Sequence, residues 1–178
     1  VELARRDAML SHRADAVEAS AYIAALCAQV PVSLSREDAV DSALSLINKE
    51  SLAYEAVEIG KKFVNQPASN LHNHYGDMSP VHSLNNLAVV VWAFLSFQDS
   101  FDEAIGETIC CGWDTDCTGA TVGGLIGLDK GLIPESWTDP WQGRVQTAIA
   151  GIGELNLDNL VERTCVLVDK FSSVADLG

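Results

Sequence analysis

Apolar and polar positions along this chain recur mostly at helical spacing. From Ala14 to Val30 (ADAVEASAYIAALCAQV) the alanine-rich run predicts a helix that packs closely, because small side chains let neighbouring backbones approach. Val30-Pro31 ends it. Ser35-Arg-Glu-Asp38 has the serine cap and the acidic third position of a helix start, and Ala39, Val40, Ala43, Leu44 and Ile47 follow on one helical face. A further helix is predicted from Leu52 to Val64. Residues 65–81 (NQPASNLHNHYGDMSPV) gather Pro, Asn, Ser and Gly and read as a long irregular connection, a length of loop that tends to be functional.

Leu84 to Phe97 is apolar on nearly every face, the pattern of a buried helix; Val89 to Val91 with Trp92 would also suit a strand, and the length of the run favours helix. Ser100-Phe-Asp-Glu103 gives a second capping box, opening a helix that runs to Cys111 before Gly112 ends it. Gly119, Gly123 and Gly127 then recur every fourth residue, one helical face on which another backbone can lie close, so this helix is expected to be central. A helix around Gln142 to Ala150 and another from Leu157 to Phe171, apolar at Leu160, Val161, Val168 and Phe171, complete the reading. With no strand run and no internal repeat, the fold class is all-α: a compact multi-helix bundle, one domain over 1–178.

Composition limits the partners. The 178 residues are 48% hydrophobic and 20% charged, enough for a sizeable core. Eleven basic against 25 acidic residues, a net charge of -14, oppose phosphate backbones and anionic membranes and welcome divalent cations, so neither nucleic acid nor membrane is an expected partner. No stretch approaches the roughly 20 uncharged apolar residues of a membrane span, and the first residues lack a signal peptide's apolar segment. Five cysteines without C-x-x-C spacing suggest neither a disulfide framework nor a zinc ribbon, which fits a reducing cytoplasm.

Candidate chemistry centres on Cys110-Cys-Gly-Trp-Asp-Thr-Asp-Cys117. Asp114 and Asp116 would diverge within a continuous helix but can converge in the loop that enters one, where they could hold a hard cation or cap free N–H groups. Cys117 has a helix start to lower its thiol pKa and two carboxylates to raise it, so a nucleophilic role is weakly supported. Trp113 can stack on a base or fill core. His12, just ahead of a helix and beside Arg13, can hold a phosphate or ribose, or be a partly buried histidine near a cap. Asn85 and Asn86 can cap the apolar helix or turn an amide to a ligand. His72, His74 and His82 lack further ligands at familiar metal spacing, and local polarity accounts for them.

Gly112-Trp-Asp-Thr-Asp-Cys117, its glycine-spaced helix and Gly131-Leu-Ile-Pro-Glu-Ser-Trp137 together resemble the C-terminal signature of the ADP-ribosylglycohydrolase family, which includes the dinitrogenase-reductase-activating glycohydrolases. Leu10-Ser-His-Arg13 and Ser83-Leu-Asn-Asn86 resemble segments upstream of that signature, so the likeness runs from Leu10 to Trp137. It implies an all-α orthogonal bundle around a binuclear Mg²⁺ centre, with Asp114 and Asp116 as ligands, His12 and Trp113 on the substrate side, and hydrolysis at the anomeric carbon of ADP-ribose. The substrate would be an ADP-ribosylated protein or small molecule. Many members have Thr where this chain has Cys117; a thiol is a poor Mg²⁺ ligand, so Thr115 or Thr118, a water or backbone would stand in, or one ion would bind less tightly.

The family's Thr-Asp-Asp cluster and its catalytic acidic residue have no counterpart before Leu10, so the chain is expected to be the C-terminal portion of such an enzyme, with the N-terminal half removed, lost or carried by a second chain. The alternative function is a non-catalytic helical module that binds ADP-ribose or a nucleotide, or docks with a partner chain.

Overall fold

The computed structural model describes residues 1–175, which form two compact units, 1–132 and 133 onward. The first holds α1 (Glu2–Ala8), α2 (Asp15–Gln29), α3 (Arg36–Leu44), α4 (Leu52–Lys62), α5 (Ser69–Tyr75), α6 (Ser83–Ser96), α7 (Phe101–Cys110) and α8 (Thr115–Lys130). The class is all-α, as the pattern predicts.

The centre of this unit is α6. Its run from Leu87 to Leu95 is buried at every position, because a helix without a polar face must be surrounded. It is ringed by α2, α3, α4, α5, α7 and α8. The closest approach is to α4, where a Cβ added to Gly60 would lie 2.7 Å from the Ala88 carbonyl oxygen and 2.8 Å from Val91 Cβ. The α8 glycines do something else: a Cβ on Gly119 would meet the Ile109 side chain at 2.9 Å, and one on Gly123 the Ile105 side chain at 3.3 Å. Gly119 and Gly123 thus receive α7 side chains rather than a backbone, and α8 is not the central helix.

Serine caps act where the sequence places them. Ser35 Oγ accepts from the Asp38 N–H at 3.0 Å and Ser100 Oγ from the Glu103 N–H at 3.2 Å. Arg36, 4% exposed, closes the far end of the unit. Its Nε donates to Asp129 Oδ2 (2.9 Å), its Nη1 to the Phe94 carbonyl (2.7 Å), and its guanidinium lies 4.6 Å from the Phe94 ring. Pairing of this kind offsets the cost of burying a charge, and α3, α6 and α8 are tied together by it.

Two helices escape the sequence pattern. α1 is short and charged, and is held by the two-pronged pair of Arg5 with Glu18 of α2 (2.8 and 3.0 Å). α5 lies inside the stretch predicted as an irregular connection; its seven residues SNLHNHY are weak helix formers, and it stands because Leu71 and Tyr75 are buried.

In the second unit, the helix predicted around Gln142 to Ala150 is replaced by a hairpin. β1 (Arg144–Gln146) pairs antiparallel with β2 (Glu154–Asn156), Val145 opposite Leu155. Gln142, Gly143, Gly151 and Gly153 all take positive φ, which no helix accommodates, and Val145 favours extended backbone. Before the hairpin lies the short α9 (Glu135–Thr138), and after it α10 (Leu157–Ala175), as its apolar spacing predicts.

Gly60→Ala is expected to destabilise the protein: overpacking costs about 1–3 kcal/mol against a helix gain of at most about 1 kcal/mol. Gly124→Ala, with nothing within 4 Å of its added Cβ, keeps only the gain, and urea unfolding of the two variants should move in opposite directions.

Glu18 sits below its ordinary 4.5 because it accepts from Arg5 and, to a lesser degree, from the Asn48 N–H. A depressed carboxylate contributes stability that is complete above 4.5 and lost as pH falls through its folded value. Glu18→Gln should therefore differ most from the parent near about pH 7 and converge with it near about pH 3, read by urea midpoints at each pH.

Candidate active site

The signature sits on a turn that the backbone would not choose unaided. α7 ends at Cys110, and both Gly112 (φ 79) and Trp113 (φ 62) are left-handed before α8 starts at Thr115. Glycine adopts this freely, whereas a residue with a side chain costs about 1–2 kcal/mol. Three contacts offset that. The Trp113 ring packs on His72 (centroids 4.2 Å) and edge-on to Tyr75 (6.4 Å). His72 Nε2–H donates to the Cys111 carbonyl at 2.6 Å. The Asp114 N–H donates to Asn86 Oδ1 at 3.2 Å.

Asn86 thereby joins α6 to α8. Its Nδ2 donates to the carbonyls of Pro80 (2.8 Å) and His82 (2.9 Å), so one amide fixes three backbone groups. Asn85 is fully buried and donates to the Ser79 carbonyl. Of the two uses open to these asparagines, both therefore serve the backbone. His82 caps α6 through the Leu84 N–H, and His72 and His74 are engaged with Trp113 and Tyr75.

Asp114 occupies the N-cap of α8, yet its side chain makes no cap hydrogen bond. Instead, one carboxylate oxygen each from Asp114 and Asp116 and Sγ of Cys117 all lie within 4.8 Å of one another. The non-helical backbone of Asp114 (φ -89, ψ 71) is what lets two carboxylates two residues apart converge. Asp114 is half-buried; Asp116 and Cys117 are exposed. The Cys117 thiol is pushed up from its ordinary value, chiefly by its hydrogen bond to Asp114 and then by that carboxylate's charge, which keeps it protonated at neutral pH and opposes a nucleophilic role.

Beside this group opens a cleft of about 380 Å³, within the range of small-molecule sites. α2 contributes Ala16, Ala19 and Ile23, α6 contributes Asn86 and Val90, and α8 contributes Cys117, Thr118 and Thr121. His12 stands on its wall, with Nδ1 2.7 Å from Ser11 Oγ, which leaves Nε2 available. Arg13 Nη1 donates to the carbonyls of Met9 (2.8 Å) and His12 (2.6 Å). Thr118 is buried and donates to the Asp114 carbonyl at 2.9 Å. Thr115 opens α8, and its carbonyl receives a second, longer contact from Thr118. Trp113 lies against α5 and is not among the cleft residues.

A family model for ADP-ribosylglycohydrolase matches residues 1–170. The chain belongs to the ADP-ribosylglycohydrolase family. The match takes in α1 and most of α10 as well as the stretch from Leu10 to Trp137, and a helical fold is in keeping with it. No match emerged among curated proteins or among solved structures.

For a metal-dependent glycohydrolase the donor set fits in part. Two convergent carboxylates suit Mg²⁺, which takes few protein oxygens and keeps several waters, whereas a thiol does not. His72 as the clamp of the turn was beyond sequence reasoning, since it acts across 39 residues and carries no local pattern.

Asn86→Asp keeps the acceptor for Asp114 N–H but deprives the Pro80 and His82 carbonyls of their donor and adds charge beside two aspartates. Stability should fall by about 1–3 kcal/mol in denaturant unfolding; an unchanged midpoint would show that these bonds do not hold the turn.

Proposed function

We propose that this chain supplies part of the active site of a Mg²⁺-dependent hydrolase that cleaves the glycosidic bond at the anomeric carbon of ADP-ribose, releasing it from a modified protein or small molecule. The carrying observation is that the N-cap carboxylate of Asp114 leaves the helix uncapped and turns with Asp116 to a shared point, beside a cleft that His12 helps to line. Family membership supports the reaction class.

Asp114 and Asp116 would hold the ion, and the chemistry it supplies is Lewis acidity toward water and hydroxyl oxygens. The chain's own contribution is positional. The left-handed turn fixes Asp114, the Asn86 amide fixes the turn, and the apolar walls from α2 and α6 exclude water around the sugar. His12, its Nδ1 held by Ser11 Oγ, would use Nε2 to meet a ribose hydroxyl or phosphate oxygen.

Among the described residues no other group of three His, Cys, Asp or Glu side chains comes together. Two carboxylates are too few for a binuclear centre, so the reading includes further ligands and the catalytic acid from another segment or a second chain.

The assay is release of free ADP-ribose by the protein with that segment in place. Asp114→Ala should lower kcat/KM by more than the roughly 10–100-fold typical of groups that only orient a ligand, and excess chelator should abolish turnover until Mg²⁺ is restored. Turnover that survives the chelator overturns the metal mechanism. Calorimetric ADP-ribose binding that survives alanine at both aspartates, without turnover, would favour a binding module instead.

A further inference from the structure

The cleft has a direction. α6 and α8 are joined near their starts by the Asn86 side chain and near their ends by Arg36, and the single turn Val30–Val32 that follows α2 packs on α8. The three helices that wall the cleft therefore run the same way, and position along them measures distance from the aspartates. His12, Ser83 and Cys117 stand at the near end. Ser20 and Ile23 of α2, Val90 of α6 and Thr121 of α8 lie a turn or more further on. At about 1.5 Å of rise per residue, Thr121 is roughly 10 Å along the helix axis from Asp114.

The far end carries no charge, and its hydroxyl protons are already used. No Asp, Glu, Lys or Arg lines the cleft. Ser20 Oγ donates to the Ala16 carbonyl at 3.0 Å and Thr121 Oγ1 to the Cys117 carbonyl at 2.8 Å, as Thr118 Oγ1 does to the Asp114 carbonyl at 2.9 Å. A hydroxyl has one proton and two lone pairs, so each of these groups keeps only acceptor capacity for a ligand. The rest of the far wall is aliphatic, from Ala19, Ile23, Leu87 and Val90. A pocket of this kind rejects both signs of charge, because an anion meets lone pairs and a cation finds no carboxylate. It satisfies a neutral, flat group with N–H donors on its rim.

We propose that the far end of the cleft receives the amino-bearing purine ring of the substrate, and that Ser20 and Thr121 are its specificity-determining residues, accepting from the exocyclic amine. An oxo group at that ring position would set lone pairs against lone pairs, so the same two hydroxyls discriminate against it. The charged diphosphate and the reacting sugar then stay towards the aspartates. The inference rests on the proposed function in taking an adenine nucleotide as ligand; the acceptor set and the uncharged lining do not depend on it.

The test is calorimetric binding to the whole protein, without metal, of adenosine, of purine riboside, which lacks only the amine, and of inosine, which has an oxo group in its place. Adenosine should bind roughly tenfold more tightly than purine riboside, the worth of one or two hydrogen bonds, and inosine no better than purine riboside. Thr121→Val and Ser20→Ala should each shrink that preference by weakening adenosine while leaving purine riboside unchanged, whereas a purely structural defect would weaken all three alike. Thr121→Ser, which keeps the hydroxyl, should retain the preference, and circular dichroism confirms that each variant is folded. An equal or reversed preference, a preference that survives Thr121→Val and Ser20→Ala combined, or no saturable adenosine binding overturns the proposal.

The two readings fail separately. If adenosine is preferred through Ser20 and Thr121 but ADP-ribose is never released, the proposed reaction falls and the base pocket stands. If release depends on Mg²⁺ but adenine- and hypoxanthine-bearing substrates react alike, only the base pocket falls.

Discussion

Everything in the first unit hangs on α6 having no polar face. A helix buried from Leu87 to Leu95 can exist only inside a ring of neighbours, and the six helices around it are the ones that carry or brace the candidate site. Its two ends do different work. At the C-terminal end the Phe94 carbonyl is answered by Arg36, whose pairing with Asp129 fixes the end of α8. At the N-terminal end the pattern breaks at Asn85 and Asn86, and Asn86 reaches the backbone of Asp114. α8 is thus held to one central helix at both ends, and the cleft lies along the span between.

The turn before α8 shows how a costly conformation is kept. Trp113 in the left-handed region would relax if its surroundings allowed it, and strain of this kind persists where contacts over-determine the backbone. His72, Tyr75 and Asn86 provide them from two other helices. The result is an aspartate at a helix N-cap whose side chain is released from capping. In that sense the tryptophan acts on the turn from behind, packed against His72 and Tyr75 of α5.

Local signals in the sequence were sufficient wherever local physics decides. The serine caps at Ser35 and Ser100, the apolar run of α6 and the spacing of α10 are properties of windows a few turns long, and each yields the element observed. The failures share the opposite cause. α5 has poor intrinsic propensity and exists because Leu71 and Tyr75 find a core assembled by distant segments. The hairpin in the second unit turns on glycines whose positive φ no periodicity count weighs. In the site, the convergence of Asp114, Asp116 and Cys117 was open to local reasoning, because it spans four residues. The roles of Asn86 and His72 were not, because they depend on contacts 28 and 39 residues away.

Electrostatics adds a constraint that joins metal to substrate. The chain carries a net charge of -14, and no Lys or Arg lines the cleft. The cation nearest in sequence to His12 is Arg13, whose Nη1 is turned to two carbonyl oxygens of its own segment. A diphosphate approaching such a surface is repelled unless the local sign is inverted, and bound divalent cations are the strongest local charges a protein can recruit. For the proposed substrate, the ions at Asp114 and Asp116 would therefore be needed to admit the anion as well as to activate water. In that reading, the two carboxylates beside the cleft would oppose ADP-ribose when bare and favour it once they hold cations.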